Sequence, residues 1–161
     1  MGLSRARDVA QYVVERVREK RDTVTPLQLM KLVYLAHGFT LGVLGRPLIR
    51  DEFEAWQYGP VSRDLYEATR RYRSAPVDFV EGARSVDLDP EERSVVDQVI
   101  DYYSQFDGIR LSALTHEKDS PWDRAWSAGT GKNKLISNNL IENYYSQLVR
   151  SDISAEEAET A

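Results

Sequence analysis

Residues 25–47 constrain this chain most. Thr25 is a helix N-cap, and Pro26 falls at the first helical position, where its missing N–H costs nothing. Leu27, Leu29, Met30, Leu32, Val33, Tyr34, Leu35 and Ala36 follow, apolar nearly all round. A helix without a polar face has to be enclosed by other elements. The pattern therefore predicts a central buried rod, weakened toward its end by Gly38, Gly42 and Gly45 and stopped at Arg46-Pro47.

The rest of the chain supplies pieces to enclose it. Over residues 6–20, Val9, Tyr12, Val13 and Val17 share one helical face. Residues 48–61 read as a short strand or extended segment, in which Glu52, Glu54 and Gln57 alternate imperfectly with Phe53, Ala55, Trp56 and Tyr58. Gly59-Pro60 reads as a turn. A helix over 62–72 turns Leu65 and Tyr66 inward, and 77–80 and 85–88 are further strand candidates. Asp89-Pro90-Glu91-Glu92 is a strong helix start ahead of Val95, Val96, Val99, Ile100 and Tyr103. Helical pieces follow at 111–115 and from Pro121, with a glycine loop at 129–133. A last helix over 138–149 is capped by Ser137, with Leu140, Ile141, Tyr144, Tyr145 and Leu148 inward. The fold class expected is mainly α: a compact multi-helix domain with a buried central helix and a minor short-stranded β element. It occupies residues 1–150, and 151–161 form an acidic tail, disordered in isolation.

Composition narrows the function. With no cysteine among 161 residues there is no disulfide scaffold, thiolate metal site or cysteine nucleophile. Of the net charge of −5, four charges come from Asp152, Glu156, Glu157 and Glu159, which leaves the body near neutral. That is not the broad basic field of a nucleic-acid binder. No apolar run approaches the ~20 residues that cross a bilayer, and no charged-then-apolar leader is present. The expectation is a soluble cytoplasmic protein with no membrane partner.

The chemistry-bearing residues are few. His116 lies in Thr115-His116-Glu117-Lys118-Asp119, and His37 near the end of the buried helix. One reading makes His116 a base or ligand; the blander one has it fix a loop through hydrogen bonds. A zinc site needs three or four ligands, more than two histidines supply without carboxylates. Residues 128–133 imitate a phosphate loop poorly, because Trp126 stands at the first glycine position and Asn133 at the Mg²⁺-binding hydroxyl. No serine elbow or paired carboxylate stands out. Arg63, Arg70, Arg71 and Arg73, interleaved with Tyr66 and Tyr72, read as a solvated helix face or as a surface for an acidic partner or nucleic acid. No catalytic residue, metal or cofactor is expected.

Longer strings carry a resemblance. Thr25-Pro26-Leu27-Gln28-Leu29-Met30-Lys31-Leu32-Val33-Tyr34-Leu35-Ala36-His37-Gly38 resembles the helix motif of the Panacea domain family, the SocA-like antitoxins, which also includes GepA-like phage-associated proteins. Glu54-Ala55-Trp56-Gln57-Tyr58-Gly59-Pro60-Val61 resembles the family's central signature, followed by Leu65-Tyr66. Leu111-Ser112-Ala113-Leu114-Thr115-His116 and Pro121-Trp122 resemble its later block. Gln28 departs from the family pattern, where lysine is usual, and leaves Lys31 as the matched base. The resemblance implies an antitoxin without enzymatic activity that neutralises a cognate, adjacently encoded protein toxin by direct binding. It also implies, as an alternative, a proteolytic adaptor to a ClpXP-type protease, or a phage or prophage accessory protein that binds a host factor.

The residues that carry the resemblance are Lys31, Tyr34, Glu54, Trp56, Tyr58, Gly59, Pro60, Val61, Tyr66, Thr115, His116, Pro121 and Trp122. Two roles are open to them, a folding device or a partner-binding groove. On the first, Trp56 fills a core gap beside Leu32 and Leu35, Gly59-Pro60 fixes a turn, and Thr115 and His116 hydrogen-bond that turn.

Overall fold

Capping chemistry sets where the helices begin. In a computed structural model, the backbone is described for residues 2–160 and the side chains for residues 2–151. After α1 (Ala6–Glu19), α2 (Pro26–Leu44) starts at a reciprocal cap: Thr25 accepts from the Gln28 N–H, and the Gln28 side chain accepts from the Thr25 N–H. Asp89 and Glu92 make the same exchange at α4 (Pro90–Tyr103). Ser62 caps α3 (Arg63–Thr69), Asp107 caps α5 (Gly108–Thr115), and Ser120 caps α6 (Pro121–Trp126). The Ser137 hydroxyl accepts from the Leu140 N–H at the start of α7 (Asn138–Thr160). Three short strands complete the chain: β1 (Phe53–Trp56), β2 (Gly59–Ser62) and β3 (Leu135–Ile136). The fold is mainly α with a minor sheet.

The rod is where its apolarity requires it. Every residue from Leu29 to Gly38 is buried, and α7, α4, α5 and α1 pack around α2. Gly38 and Gly42 do not weaken the helix so much as let α7 approach. A Cβ at Gly38 would lie 2.7 Å from the Tyr145 ring, and one at Gly42 2.7 Å from the Tyr145 carbonyl carbon. One expectation changes: α2 has 19 residues and a mean hydropathy of 1.3, long and apolar enough to cross a membrane. Protein buries 67% of that window.

The sheet differs from the expected one. β1 pairs antiparallel with β2 (Phe53 opposite Ser62, Trp56 opposite Gly59) and with β3 (Phe53 opposite Ile136). The hairpin therefore turns at Gln57-Tyr58, and Gly59-Pro60 opens β2 instead of forming the turn. Strand alternation places Phe53 and Ala55 in the core, with Phe53 5.2 Å from the Tyr34 ring. Trp56 points the other way and is only half-buried, so it is not the core plug beside Leu32 and Leu35. Tyr66 is likewise exposed, not inward.

Residues 77–80 and 85–88 form no strand. Side chains of α1 and of Arg5 just before it hold residues 80–84 instead: Arg5 donates to the Gly82 carbonyl, Arg7 to the Glu81 carbonyl, Gln11 accepts from Val80 N–H and Asp8 from Arg84 N–H. The backbone of α7 runs on to Thr160, past the expected end near Val149. The side chains of the acidic tail beyond Ser151 lie outside the described residues.

Candidate functional site

Side chains from three helices hold the β1–β2 hairpin by its carbonyls. Trp122 Nε1, in α6, donates to the Trp56 carbonyl (2.6 Å). His116 Nε2, just past α5, lies 3.1 Å from the Gln57 carbonyl. Ser112 Oγ, in α5, donates to the Tyr58 carbonyl (2.5 Å), and Lys31 Nζ, in α2, to the Pro60 carbonyl (2.9 Å). A carbonyl only accepts, so His116 carries its proton on Nε2.

Gly59 sits inside this clasp. Its φ of +121° suits glycine, and a Cβ there would lie 2.8 Å from Lys31 Nζ and 3.1 Å from Thr115 Oγ1. The expectation that Thr115 bonds the turn is corrected: its hydroxyl returns to the Leu111 and Ser112 carbonyls of its own helix. Pro60 and Val61 are buried in β2, Pro121 is buried at the start of α6, and Tyr34 is a core residue.

Lys31 is the unusual group. Two charged side chains are counted as buried among the described residues, Lys31 and Glu92. Glu92 accepts from the Asp89 N–H and has Arg46 at 3.7 Å. Lys31 is fully buried with a carbonyl as partner and no carboxylate. Burial pushes its ammonium down to about 7. Half-buried His116 is also held below the usual histidine range, by desolvation first and by nearby Lys31 to a lesser degree. Its ring stands edge-on to Trp122 at 4.3 Å. Among the described residues no group of three histidines or carboxylates is placed to hold a metal ion.

His37 fixes a loop as well. Its Nδ1 accepts from the Ile49 N–H (3.2 Å) and its Nε2 faces Asn138 Oδ1 (2.9 Å), while burial lowers its pKa.

The front of the hairpin carries the aromatic residues. Tyr58 is 66% exposed and Tyr66 38%. The Trp56 and Tyr66 rings are 5.0 Å apart, and the Arg63 guanidinium lies 5.4 Å above Trp56. Glu54 pairs with Arg63 at 2.9 Å and accepts from Trp56 Nε1, and the guanidinium holds its carboxyl below the usual range. These rings, with Leu27 and Met30 of α2, wall a groove of about 380 Å³ that has Lys31 at its base and Arg70 and Arg73 at its edge. The four arginines do not form one patch, because Arg71 turns away to the Tyr72 and Phe79 rings.

The motif thus divides into a back that grips and a front that is presented. Three participants escape sequence reasoning: Ser112, Leu27 and Met30. Ser112 stands three and four residues from Thr115 and His116, a helical spacing that places it on their side of α5. Gln28, the departure from the family pattern, donates to the Ser104 and Phe106 carbonyls and so closes the end of α4.

Comparison with known proteins points one way. The family described as antitoxin SocA-like, Panacea domain, matches residues 29–123. Antitoxin SocA of Caulobacter vibrioides is 29% identical over 128 residues, covering 73% of this chain and 68% of that protein. No solved structure matches the chain significantly.

Proposed function

The chain belongs to the SocA-like antitoxin family defined by the Panacea domain, and on that premise we propose that it neutralises a cognate protein toxin by binding it directly. The family match carries this reading. It runs from α2 into α6 and includes the hairpin with all four side chains that hold its carbonyls, Lys31, Ser112, His116 and Trp122.

The geometry supports a binding role. A hairpin clasped from behind cannot relax when a partner arrives, so little ordering entropy is lost on association. Exposed tyrosine and half-buried tryptophan beside arginine are the residue types that dominate interface energetics. Residues 1–150 are the binding domain in this reading. The acidic tail adds a salt-sensitive contact to a basic toxin surface. In this reading the protein acts in the cytoplasm and blocks the toxin by occupation, with delivery to a ClpXP-type protease as the alternative that the test separates.

The test is growth rescue. The small reading frame encoded beside this chain is expressed in a bacterial host with and without it. Toxicity relieved by the chain, with co-purification of the two proteins, is the expected result. Toxicity that persists with the chain well expressed overturns the reading. A toxin half-life unchanged by loss of ClpXP is expected for block by occupation; a half-life lengthened by that loss assigns delivery instead.

A further inference from the structure

We propose that the groove between the start of α2, the β1–β2 hairpin and α3 receives a toxin segment in which an apolar side chain is flanked by carboxylates. This rests on the antitoxin reading and names what the partner presents.

Three observations carry it. First, the walls leave apolar surface in water: Tyr58 is 66% exposed, and Tyr66 and Leu27 are more than a third exposed. Leu27 also lies against Gly108 at the start of α5, where Ile109 is 78% exposed. A patch of this kind marks an interaction site when polar groups rim it.

Second, the groove is charged in one sense. Lys31, Arg70 and Arg73 line it, and no acidic side chain does, in a chain whose net charge is −5. Glu54 is engaged by Arg63 at 2.9 Å, and Glu67, 3.7 Å from Arg70, offsets part of that arginine's charge. Arg73 has no ion pair among the described residues. Complementarity asks for anionic groups around an apolar anchor.

Third, Lys31 is desolvated at the base with a single carbonyl partner. An ammonium has three donors. Lys31 has no exposed surface, so a carboxylate seated in the groove would act on it as a counter-charge through space and not by direct contact. Phosphate-bearing nucleic acid fits less well. A backbone of phosphates needs a track of positive charge, and this short groove offers only Lys31, Arg70 and Arg73.

A random dodecapeptide library displayed on phage, panned against the full-length chain, tests the chemistry without knowledge of the toxin. Enriched peptides should carry an aromatic or aliphatic residue next to Asp or Glu. They should bind Tyr58→Ala and Arg73→Glu chains about tenfold more weakly or worse, and bind the native chain more weakly as salt rises. Both substitutions are at exposed positions, and unchanged thermal melts establish that the variants fold. No enrichment, no acidic bias, or equal binding to the variants overturns the proposal. So does a 20-mer of oligo-dT that binds the native chain and is lost on Tyr58→Ala. Growth rescue by the same variants separates the two levels. Native rescue with full rescue by both variants removes the groove and keeps the antitoxin. Native failure to rescue removes the antitoxin, and with it the toxin as occupant.

Discussion

Lys31 is held in the fold against its own hydration. Its pKa falls from 10.5 to about 7 through burial, so between those values the unfolded chain holds a proton that the folded chain does not. Stability therefore rises with pH across that window, and below about pH 7 the full desolvation cost is present. Lys31→Met should abolish this dependence: from pH 7 to 9 the native chain gains up to about 1.4 kcal/mol per pH unit relative to the variant. Urea melts of both chains at pH 7, 8 and 9 measure the difference, and parallel slopes would contradict the burial argument. The neighbouring glycine is equally constrained. Gly59→Ala meets Lys31 Nζ and forces alanine to a φ of +121°, so it should cost about 2–4 kcal/mol by strain and overpacking together. A thermal melt within a degree or two of the native chain would show that the hairpin has another way to pass behind Lys31.

At the scale of elements, the alternation in β1 decides which aromatic residue is structural. Phe53 is 1% exposed against Tyr34, whereas Trp56 is half-buried on the opposite face. Phe53→Ala should cost about 3–5 kcal/mol, and Trp56→Ala about 1–2 kcal/mol, because only part of its surface leaves water. Denaturant midpoints for the two variants give the ranking, and the reverse order would return Trp56 to the core. The folding-device reading puts Trp56 in that place; the register that settles the matter depends on where the hairpin turns. Gly59-Pro60 is a turn pair by composition, yet the turn lies at Gln57-Tyr58, and Gly59 is needed instead inside β2, to pass Lys31 at a φ of +121°. Helices were far more legible. Caps such as Thr25-Pro26, Asp89-Pro90 and Ser137 act within a few residues and can be read directly. The strand reading of 77–80 and 85–88 follows apolar residues that are indeed buried at Val77, Val80 and Leu88, but the Val80 and Arg84 amides are held by Gln11 and Asp8 of α1, some 70 residues earlier, and Val77 by the Val24 carbonyl. The candidate site was legible as a set of residues through its motif strings, and not as a back and a front. That division arises only when α5 and α6 fold over the hairpin, and it leaves Ser112 gripping and Tyr58 presented.

The whole molecule is a set of ties across one rod. Gln28 at the start of α2 reaches the end of α4, Lys31 reaches β2, and His37 joins Ile49 to Asn138. Trp122 ties α6 to the hairpin, and Tyr12 donates to Asp97 to tie α1 to α4. All of these ties but the one from His37 to Ile49 span long loops of chain, so closing any of them alone costs entropy that the others repay only when α2 is already enclosed. Removing α2's neighbours exposes an apolar helix, while α2 itself cannot open without breaking the ties along its length. Its amides from Lys31 to Thr40 should therefore exchange with solvent only through global unfolding. The region over 77–84 is different. Its Val80 and Arg84 amides are held by the Gln11 and Asp8 side chains of α1, and these side chains can let go while the core stays closed. Those amides should exchange at least about 100-fold faster than the α2 amides by local opening. Hydrogen–deuterium exchange followed by NMR resolves both groups in one experiment. If low concentrations of denaturant accelerate the α2 amides and leave those of 77–84 nearly unchanged, the rod is the last element to open. If both respond alike, the grip of α1 on that region is part of the cooperative core, and the molecule is tied at its periphery as firmly as at its centre.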